Sequence, residues 1–363
     1  MLESVPRRVG VVGSGLIGAS IGLALRTRGI DVLLRDRDPK QVEIAETLGA
    51  GRPWAGERVD HAVVAVPPHA VAGELRALQQ ARLATTYSDV ASVKARPLLE
   101  AVQAGCDLSS WCPAHPVAGR ERGGAVSARP DLFVDRTWVV CPVPHTSAAA
   151  LDTATWLALS CGASPLRVTA ERHDEVMAVL SHVPQVVASL LASVTPALRS
   201  GEPALAGQGF RDVTRLADSD PALWASILEG NRAPVAAVCR SLARELAGLA
   251  DTLGEGTADE VTTAVLRLIG RGNEGRGLLP RKAGDAPTRP WAWVGVVLAD
   301  RPGQLGALFT AIGELRVNVE DVAAFEHSLE TPAGTVEIAV APEDADRLSE
   351  WLAGAGWTAY RRA

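Results

Sequence analysis

The chain has 363 residues, with 36 Lys and Arg against 42 Asp and Glu, a formal net charge of -6 and a pI near 5.7. No block of like charge appears, which argues against nucleic acid or an anionic membrane as the main partner, and the length calls for two or three domains. Five cysteines without Cys-x-x-Cys spacing and no apolar stretch near the ~20 residues of a membrane helix point to reduced thiols, no metal site and a cytoplasmic protein.

The N-terminus enters a strand at Arg8 to Val12, followed by Gly13-Ser14-Gly15-Leu16-Ile17-Gly18 and a helical apolar pattern through Ile21, Leu23, Ala24 and Leu25. This strand-turn-helix context is what a dinucleotide loop requires. Gly13 permits the tight turn, Gly15 lets the backbone approach a pyrophosphate, and Gly18 lets the helix pack on the sheet. The helix start at Leu16 and Ile17 offers N–H groups to phosphate. A second strand, Asp31 to Leu34, leads to Asp36, whose carboxylate can accept from both ribose hydroxyls and favours NAD. Arg35 and Arg37 flank it and can bind a 2'-phosphate instead, so NADP stays open.

Strands are expected at Ala62 to Val66, Thr85 to Ser88 and Thr137 to Cys141, with helices at Ala70 to Gln80 and Pro97 to Ala104. Such alternation gives a mainly parallel sheet with ligands at the carboxyl ends of its strands. His115 follows at such an end, and Pro116 biases it away from helix, so a loop position is expected. A titratable imidazole there suits acid-base chemistry beside a nicotinamide. Ser92 can hold the imidazole or a substrate hydroxyl, or simply cap the next helix. Lys94 can touch phosphate or carboxylate, or be solvated. Glu121 can gate the site, or be an exposed acid.

After Thr169, a plausible N-cap, the residues Val176, Val179, Leu180, Val183, Val187, Leu190, Leu191 and Val194 form one apolar stripe at helical spacing, so this helix builds a core or a dimer. Pro184 interrupts it and is expected to kink the axis. His182 and Gln185 flank that break and can face substrate; a structural bond from His182 to the freed carbonyl is the alternative. Arg211 and Arg215 lie four apart in the next helical run. Arg215 is the preferred carboxylate clamp, and Arg211 either assists or pairs with a neighbouring aspartate.

Residues 270–290 are rich in Gly, Pro and Arg and read as a linker. Beyond them the pattern is βαββαβ, with strands at Trp293 to Leu298, Asn318 to Phe325, Thr335 to Ala341 and Trp357 to Tyr360, and helices at Gln304 to Leu315 and Glu343 to Ala353. The loop holding Asp300, Gly303, Gln304 and Leu305 looks like the effector loop of an ACT domain, a ferredoxin-like module, which makes tyrosine a candidate effector.

Together these segments resemble the prephenate dehydrogenase family of tyrosine biosynthesis, including its arogenate-using relatives. The likeness rests on the glycine loop, Asp89 to Lys94, His115-Pro116-Val117-Ala118-Gly119-Arg120-Glu121, Ser181-His182-Val183-Pro184, and Gly209 to Arg215 with Trp224 and Asn231. It implies an α/β chain with a Rossmann domain over 1–168, an all-helical substrate and dimerisation domain over 169–269, and an ACT-like α+β domain over 291–363. It also implies a small-molecule substrate, a homodimer, His115 as the catalytic group on the ring hydroxyl, Ser92 as its helper, Glu121 as a gate and Arg215 on a carboxylate. The sequence departs from the family's Ser-His-Leu-Pro-His at Gln185, which leaves prephenate, arogenate and an amino-substituted prephenate as possible substrates. A 3-hydroxyacid dehydrogenase is disfavoured because residues 171–195 hold no lysine. A non-enzymatic nucleotide and amino-acid sensor is disfavoured by the joint presence of His115, Ser92 and Arg215.

Overall fold

The computed structural model describes residues 5–119, 123–279, 291–299, 301–327 and 333–361, the side chains of 323–327 and 333 excepted. Its contacts divide the chain into two compact units, Met1–Thr257 and Ala258–Ala363.

The first unit opens with β1 (Arg8–Val12), α1 (Leu16–Arg26), β2 (Asp31–Arg35), α2 (Pro39–Thr47), β3 (Arg52–Pro53), β4 (Val59–Val64), α3 (Val71–Gln80), β5 (Ala84–Asp89), α4 (Ala95–Gln103) and β6 (Trp111–Cys112). All six strands pair in parallel, in the order β3-β2-β1-β4-β5-β6. The order reverses between β1 and β4, which opens a crevice at their carboxyl ends. Alternation along β1 explains why two cores form: Val9 and Val11 pack on α1 and α5, while Val12 joins Leu33, Val64 and Leu75 on the other face.

A second, three-stranded sheet follows in the order β7-β8-β9, from β7 (Ala114–Pro116), β8 (Thr137–Val140) and β9 (Ser164–Arg167), with α5 (Ala148–Ser160) between the last two. Two expectations change here. The strand at 137–140 does not belong to the main sheet, and His115 lies not on a loop but in the middle of β7, opposite Val139 in an antiparallel pair. The extended bias that Pro116 imposes on His115 suits a short edge strand as well as a loop, so the sequence could not separate them.

The helical part holds α6 (Ala170–Met177), a π-helical turn Ala178–His182, α7 (Val183–Ala192), α8 (Gln208–Thr214), α9 (Pro221–Gly230) and α10 (Arg232–Glu255). Thr169 caps α6 by accepting from Arg172 N at 3.2 Å. Pro184 sits in the first turn of α7, directly after the wide turn, and the helical path continues through it. The run Ala170–Ala197 is long and apolar enough to cross a membrane by length and composition, which overturns the reading that no such stretch exists. Its core contribution is small, chiefly Ala178 and Val183 against Val235. Val179, Leu180, Val187, Leu190 and Val194 of the predicted stripe stay exposed, Leu190 at 63%.

The second unit comprises α11 (Ala258–Gly277), β10 (Ala292–Ala299), α12 (Gln304–Glu314), β11 (Asp321–His327), β12 (Ala333–Val340), α13 (Pro342–Gly354) and β13 (Thr358–Arg361). Its sheet, β11-β12-β10-β13, is antiparallel, and Val294, Val296, Leu308, Ile338 and Leu348 fill its core. The βαββαβ expectation matches this order. Residues 270–277, read as linker from their glycines, continue α11 instead; 280–290 lie outside the described residues.

One buried polar group in the main sheet has a consequence for stability. His61 on β4 is fully buried, with its two ring nitrogens 2.9 Å from Thr86 Oγ1 and Ser88 Oγ on β5. Burial holds its pKa at about 3. Between the unfolded value of about 6.5 and that value the unfolded chain binds the extra proton, so stability falls as pH falls through this window. Urea midpoints measured from pH 7.5 down to 4.5 should therefore decline, and His61→Gln should make the decline shallower.

Candidate active site

The glycine loop has the geometry that its sequence requires. Gly13 adopts φ +96°, and a Cβ there would lie 2.1 Å from the Ala65 carbonyl oxygen. A Cβ on Gly18 would lie 1.8 Å from the Gly13 carbonyl oxygen and 3.0 Å from Val11, so α1 can start close above β1 only with glycine there. Gly15, the N-cap of α1, faces open space, with nothing within 4 Å of an added Cβ. Leu16 and Ile17 open the helix, whose first N–H groups have no carbonyl one turn earlier to bond. Asp36, at the end of β2, accepts from Ser14 N at 2.6 Å and Asp38 N at 2.9 Å, which ties the acid to the loop. The Ser14 hydroxyl is buried without a hydrogen-bond partner among the described residues. An open-faced glycine, a helix start, an anchored carboxylate and an orphaned hydroxyl fit a dinucleotide pyrophosphate and ribose.

The arginines flanking Asp36 are not equivalent. Arg35 donates to Glu74 Oε2 at 2.8 Å and stacks 5.6 Å from the Trp54 ring centroid, while Arg37 is exposed. One of the two cations that can hold a 2'-phosphate is thus already engaged, in keeping with NAD.

A second polar cluster forms where β7 meets the first turn of α6. His115 Nδ1 lies 2.9 Å from His173 Nε2, and His173 Nδ1 lies 2.7 Å from Asp174 Oδ1. Asp174 also accepts the backbone N–H of Lys94 and of Ala95, both at 2.8 Å, at the start of α4. Lys94 is fully buried; its ammonium pairs with Asp89 and donates to the Ala114 carbonyl at 2.7 Å, directly before His115. The solvated and phosphate-binding readings of Lys94 are both replaced by this clamp. Burial, helped by the positive charge of Lys94, lowers the pKa of His115 well below the ordinary value, so the ring is neutral at physiological pH. Its Nε2 has no hydrogen-bond partner among the described residues.

Ser92 is half-buried and makes no hydrogen bond to His115, whose Nδ1 is taken by His173. His182 is buried; its Nδ1 lies 2.9 Å from Asn231 Nδ2, which also donates to the Asp174 carbonyl at 2.7 Å. Trp224 meets the His182 ring edge-on at 6.2 Å. With Nδ1 accepting from Asn231, His182 keeps its proton on Nε2, and that N–H is buried without a partner among the described residues. Burial pushes its pKa down to about 4. The bond from His182 to a freed carbonyl is thus replaced by the bond to Asn231.

Gln185 is buried, donating to Ser189 Oγ and accepting from Ser219 Oγ, both at 3.3 Å, so it fastens α7 to the turn after α8. Arg215 opens the one-turn helix Arg215–Ala217, which packs on α7, and Arg211 lies in α8; both are exposed. Glu121 and Asp300 lie outside the described residues. Gly303 has φ +86° at the N-cap of α12, with Gln304 and Leu305 in its first turn. Among the described residues no cluster of His, Cys, Asp or Glu could hold a metal.

His173 and Asp174 were missed as site residues. The available signal was an adjacent His-Asp pair in the first turn of an amphipathic helix, where such groups are usually solvated; their burial follows from docking on α4.

Comparison with known proteins is consistent along the chain. Family models match as the nucleotide-binding domain of prephenate dehydrogenase over residues 21–166 and its dimerization domain over 169–267. A probable prephenate dehydrogenase, NovF of Streptomyces niveus, is 37% identical over 96% of this chain and 98% of its own. Prephenate dehydrogenase of Bacillus subtilis is 25% identical over 94% of both chains. Among solved structures, Synechocystis arogenate dehydrogenase aligns with TM-score 0.61 at 25% identity, covering 74% of this chain and 98% of that one. The fold is shared with an A. aeolicus prephenate dehydrogenase in complex with hydroxyphenyl propionate and NAD+, at TM-score 0.66 and 22% identity, covering 75% and 99%.

The open face of Gly15 yields a direct test of the cofactor site. Gly15→Val should weaken NAD binding, read by fluorescence titration, by about tenfold or more, while lowering the thermal midpoint by only about a few degrees, because an added Cβ meets open space and the cost is that of a poorer N-cap.

Proposed function

We propose that this chain, which belongs to the prephenate dehydrogenase family, oxidises prephenate to 4-hydroxyphenylpyruvate with loss of carbon dioxide and transfer of hydride to NAD. The observation that carries the mechanism is His115: a partly exposed imidazole held neutral, its Nδ1 occupied and its Nε2 available. Bound NAD supplies the hydride acceptor; Gly13, Gly15, the N–H groups of Leu16, Ile17 and Gly18, and Asp36 would hold it.

His115 Nε2 accepts the proton of the ring hydroxyl as hydride leaves the same carbon. The ring carboxylate departs as carbon dioxide, the electron pair it leaves completes the aromatic ring as a phenolate, and His115 returns the proton to that oxygen to give the phenol. Aromatisation drives the step, so the protein chiefly orients the substrate and takes the proton. A neutral imidazole is required, and desolvation together with the neighbouring Lys94 charge favours it. Arg215 clamps a substrate carboxylate, with Arg211 as a second cation, and the unpaired His182 Nε2–H donates to a substrate oxygen. Ser92 lies close in sequence to this cluster and assists at the hydroxyl; Glu121 gates the pocket.

The chain works as a homodimer. The exposed face formed by Val179, Leu180, Val187, Leu190 and Val194 lies inside the segment matched as a dimerization domain, and its burial against a second copy explains a helix so apolar yet so poorly covered. We place the enzyme in the cytoplasm and assign tyrosine as an effector at Gly303, Gln304 and Leu305, in the loop that resembles an ACT effector loop. Arogenate and an amino-substituted prephenate are the competing substrates, since Gln185 replaces a basic side chain.

Absorbance of NADH formed with prephenate, arogenate and the amino-substituted analogue, each with NAD and NADP, tests the reading; no turnover of any of them overturns it. His115→Ala should lower kcat by about 100-fold or more with NAD affinity unchanged. In the same assay Arg215→Ala should raise the KM for substrate by about tenfold or more, with the KM for NAD nearly constant.

A further inference from the structure

We infer that His173, backed by Asp174, sets the tautomer of His115 and so makes Nε2 the proton acceptor. The inference rests on the assignment of His115 as the base, and it adds a positioning residue to that site.

The direction of each hydrogen bond follows from the chain of partners. Asp174 accepts from Lys94 N, Ala95 N and the His173 ring, so its oxygens are surrounded by donors and it acts as a carboxylate. His173 must then present Nδ1–H to it. A neutral His173 with its proton on Nδ1 has a bare Nε2, which can only accept. The group facing that nitrogen, at 2.9 Å, is His115 Nδ1, and with His173 neutral it is the N–H that donates. A neutral His115 with its proton on Nδ1 leaves the lone pair on Nε2. Two rings and a carboxylate thus deliver a definite answer at the reacting atom: a base on the side away from His173. Without His173, the Nδ1 and Nε2 protonated forms of imidazole are close in energy, and much of the population carries a proton where the lone pair is needed.

The same arrangement serves when the proton arrives. The hydroxyl O–H bond breaks and His115 Nε2 gains the proton, while Nδ1–H stays on His115 and its hydrogen bond to His173 Nε2 strengthens. The positive charge then lies two hydrogen bonds from the Asp174 carboxylate, whose attraction opposes the unfavourable effect of Lys94 and of burial. The two rings meet edge to edge, with centroids 5.1 Å apart and planes at 78°. The pair spans β7 and α6, so the tautomer is fixed only when the strand and the helix are docked.

Asp174 also caps α4, so its replacement would disturb the loop for a second reason; the variant belongs at His173. Two variants of the full chain decide it. His173→Phe removes the acceptor and is expected to lower kcat by about tenfold or more, with substrate KM and NAD affinity within about twofold. His173→Gln supplies an amide oxygen that can accept from Nδ1–H and should recover a substantial part of that loss. Nitrogen NMR of the 15N-histidine-labelled protein, without substrate, should show His115 protonated on Nδ1 in the parent chain and shifted toward Nε2 protonation in His173→Phe. A parent His115 protonated on Nε2, or the same tautomer in His173→Phe, overturns the inference. So does an equal loss of kcat in both variants, which would mean a packing role only. Because the NMR readout needs no turnover, failure of the parent chain to oxidise any cyclohexadienol would count against the proposed activity and leave the tautomer assignment to be decided separately.

Discussion

Asp174 holds the polar cluster around His115 together because one carboxylate satisfies three donors from two parts of the fold. It accepts the first backbone N–H groups of α4, which otherwise have no partner in their own helix, and it accepts the His173 ring. Hydrogen bonds to a charged acceptor are worth about 1.5–3 kcal/mol each, and leaving a buried partner unpaired is costly, so this docking is well determined. Once the first turn of α6 lies on the start of α4, His173 has one place to go, and His115 meets it from β7. The carbonyl of Asp174 extends the arrangement through Asn231 to His182. A helix cap, an imidazole pair and the orientation of the His182 ring are thereby referred to a single residue.

Charge inside this region is handled by pairing. The Lys94 ammonium has no access to solvent and is neutralised by Asp89 while it grips the Ala114 carbonyl. A buried pair of this kind adds little net stability compared with apolar packing, but removing one partner costs about 3–5 kcal/mol. Its value lies in direction: a fixed cation behind β7 holds the strand in position and disfavours protonation of His115. Desolvation acts the same way on His115 and His182, so these two rings are held neutral beside one cation and two carboxylates. That is the environment a proton acceptor needs near neutral pH.

The helical part shows the opposite balance, with apolar surface that the chain does not cover. Its own core is a few residues around Val183 and Val235, whereas a row of valines and leucines on α7 and its flanks stays exposed. Surface of that kind on a polar-cored helix marks an association face. The helix therefore has two unlike sides: His173, Asp174 and His182 turn toward the polar cluster, Gln185 ties it to Ser219, and the stripe turns outward.

The residues alone determined the dinucleotide loop, because Gly13, Gly15 and Gly18 at that spacing after a buried strand answer local steric demands that leave few other readings. The apolar stripe after Thr169 and the C-terminal βαββαβ order were legible for the same reason: periodicity of side chains is a local property of helices and strands. His115 was legible as a candidate through its neighbours, though not its strand, since proline restricts backbone to extended forms without choosing between loop and edge. What only tertiary structure decided was pairing over long separations. Lys94 reads as a solvated helix-start residue until Asp89 and the Ala114 carbonyl are seen to enclose it, and His173 reads as an ordinary first-turn polar residue until α4 and β7 close on it. Hydrogen-bond partners, burial and hence protonation depend on which distant segments meet; here a carboxylate 80 positions beyond Lys94 meets its backbone, and no spacing along the chain encodes that.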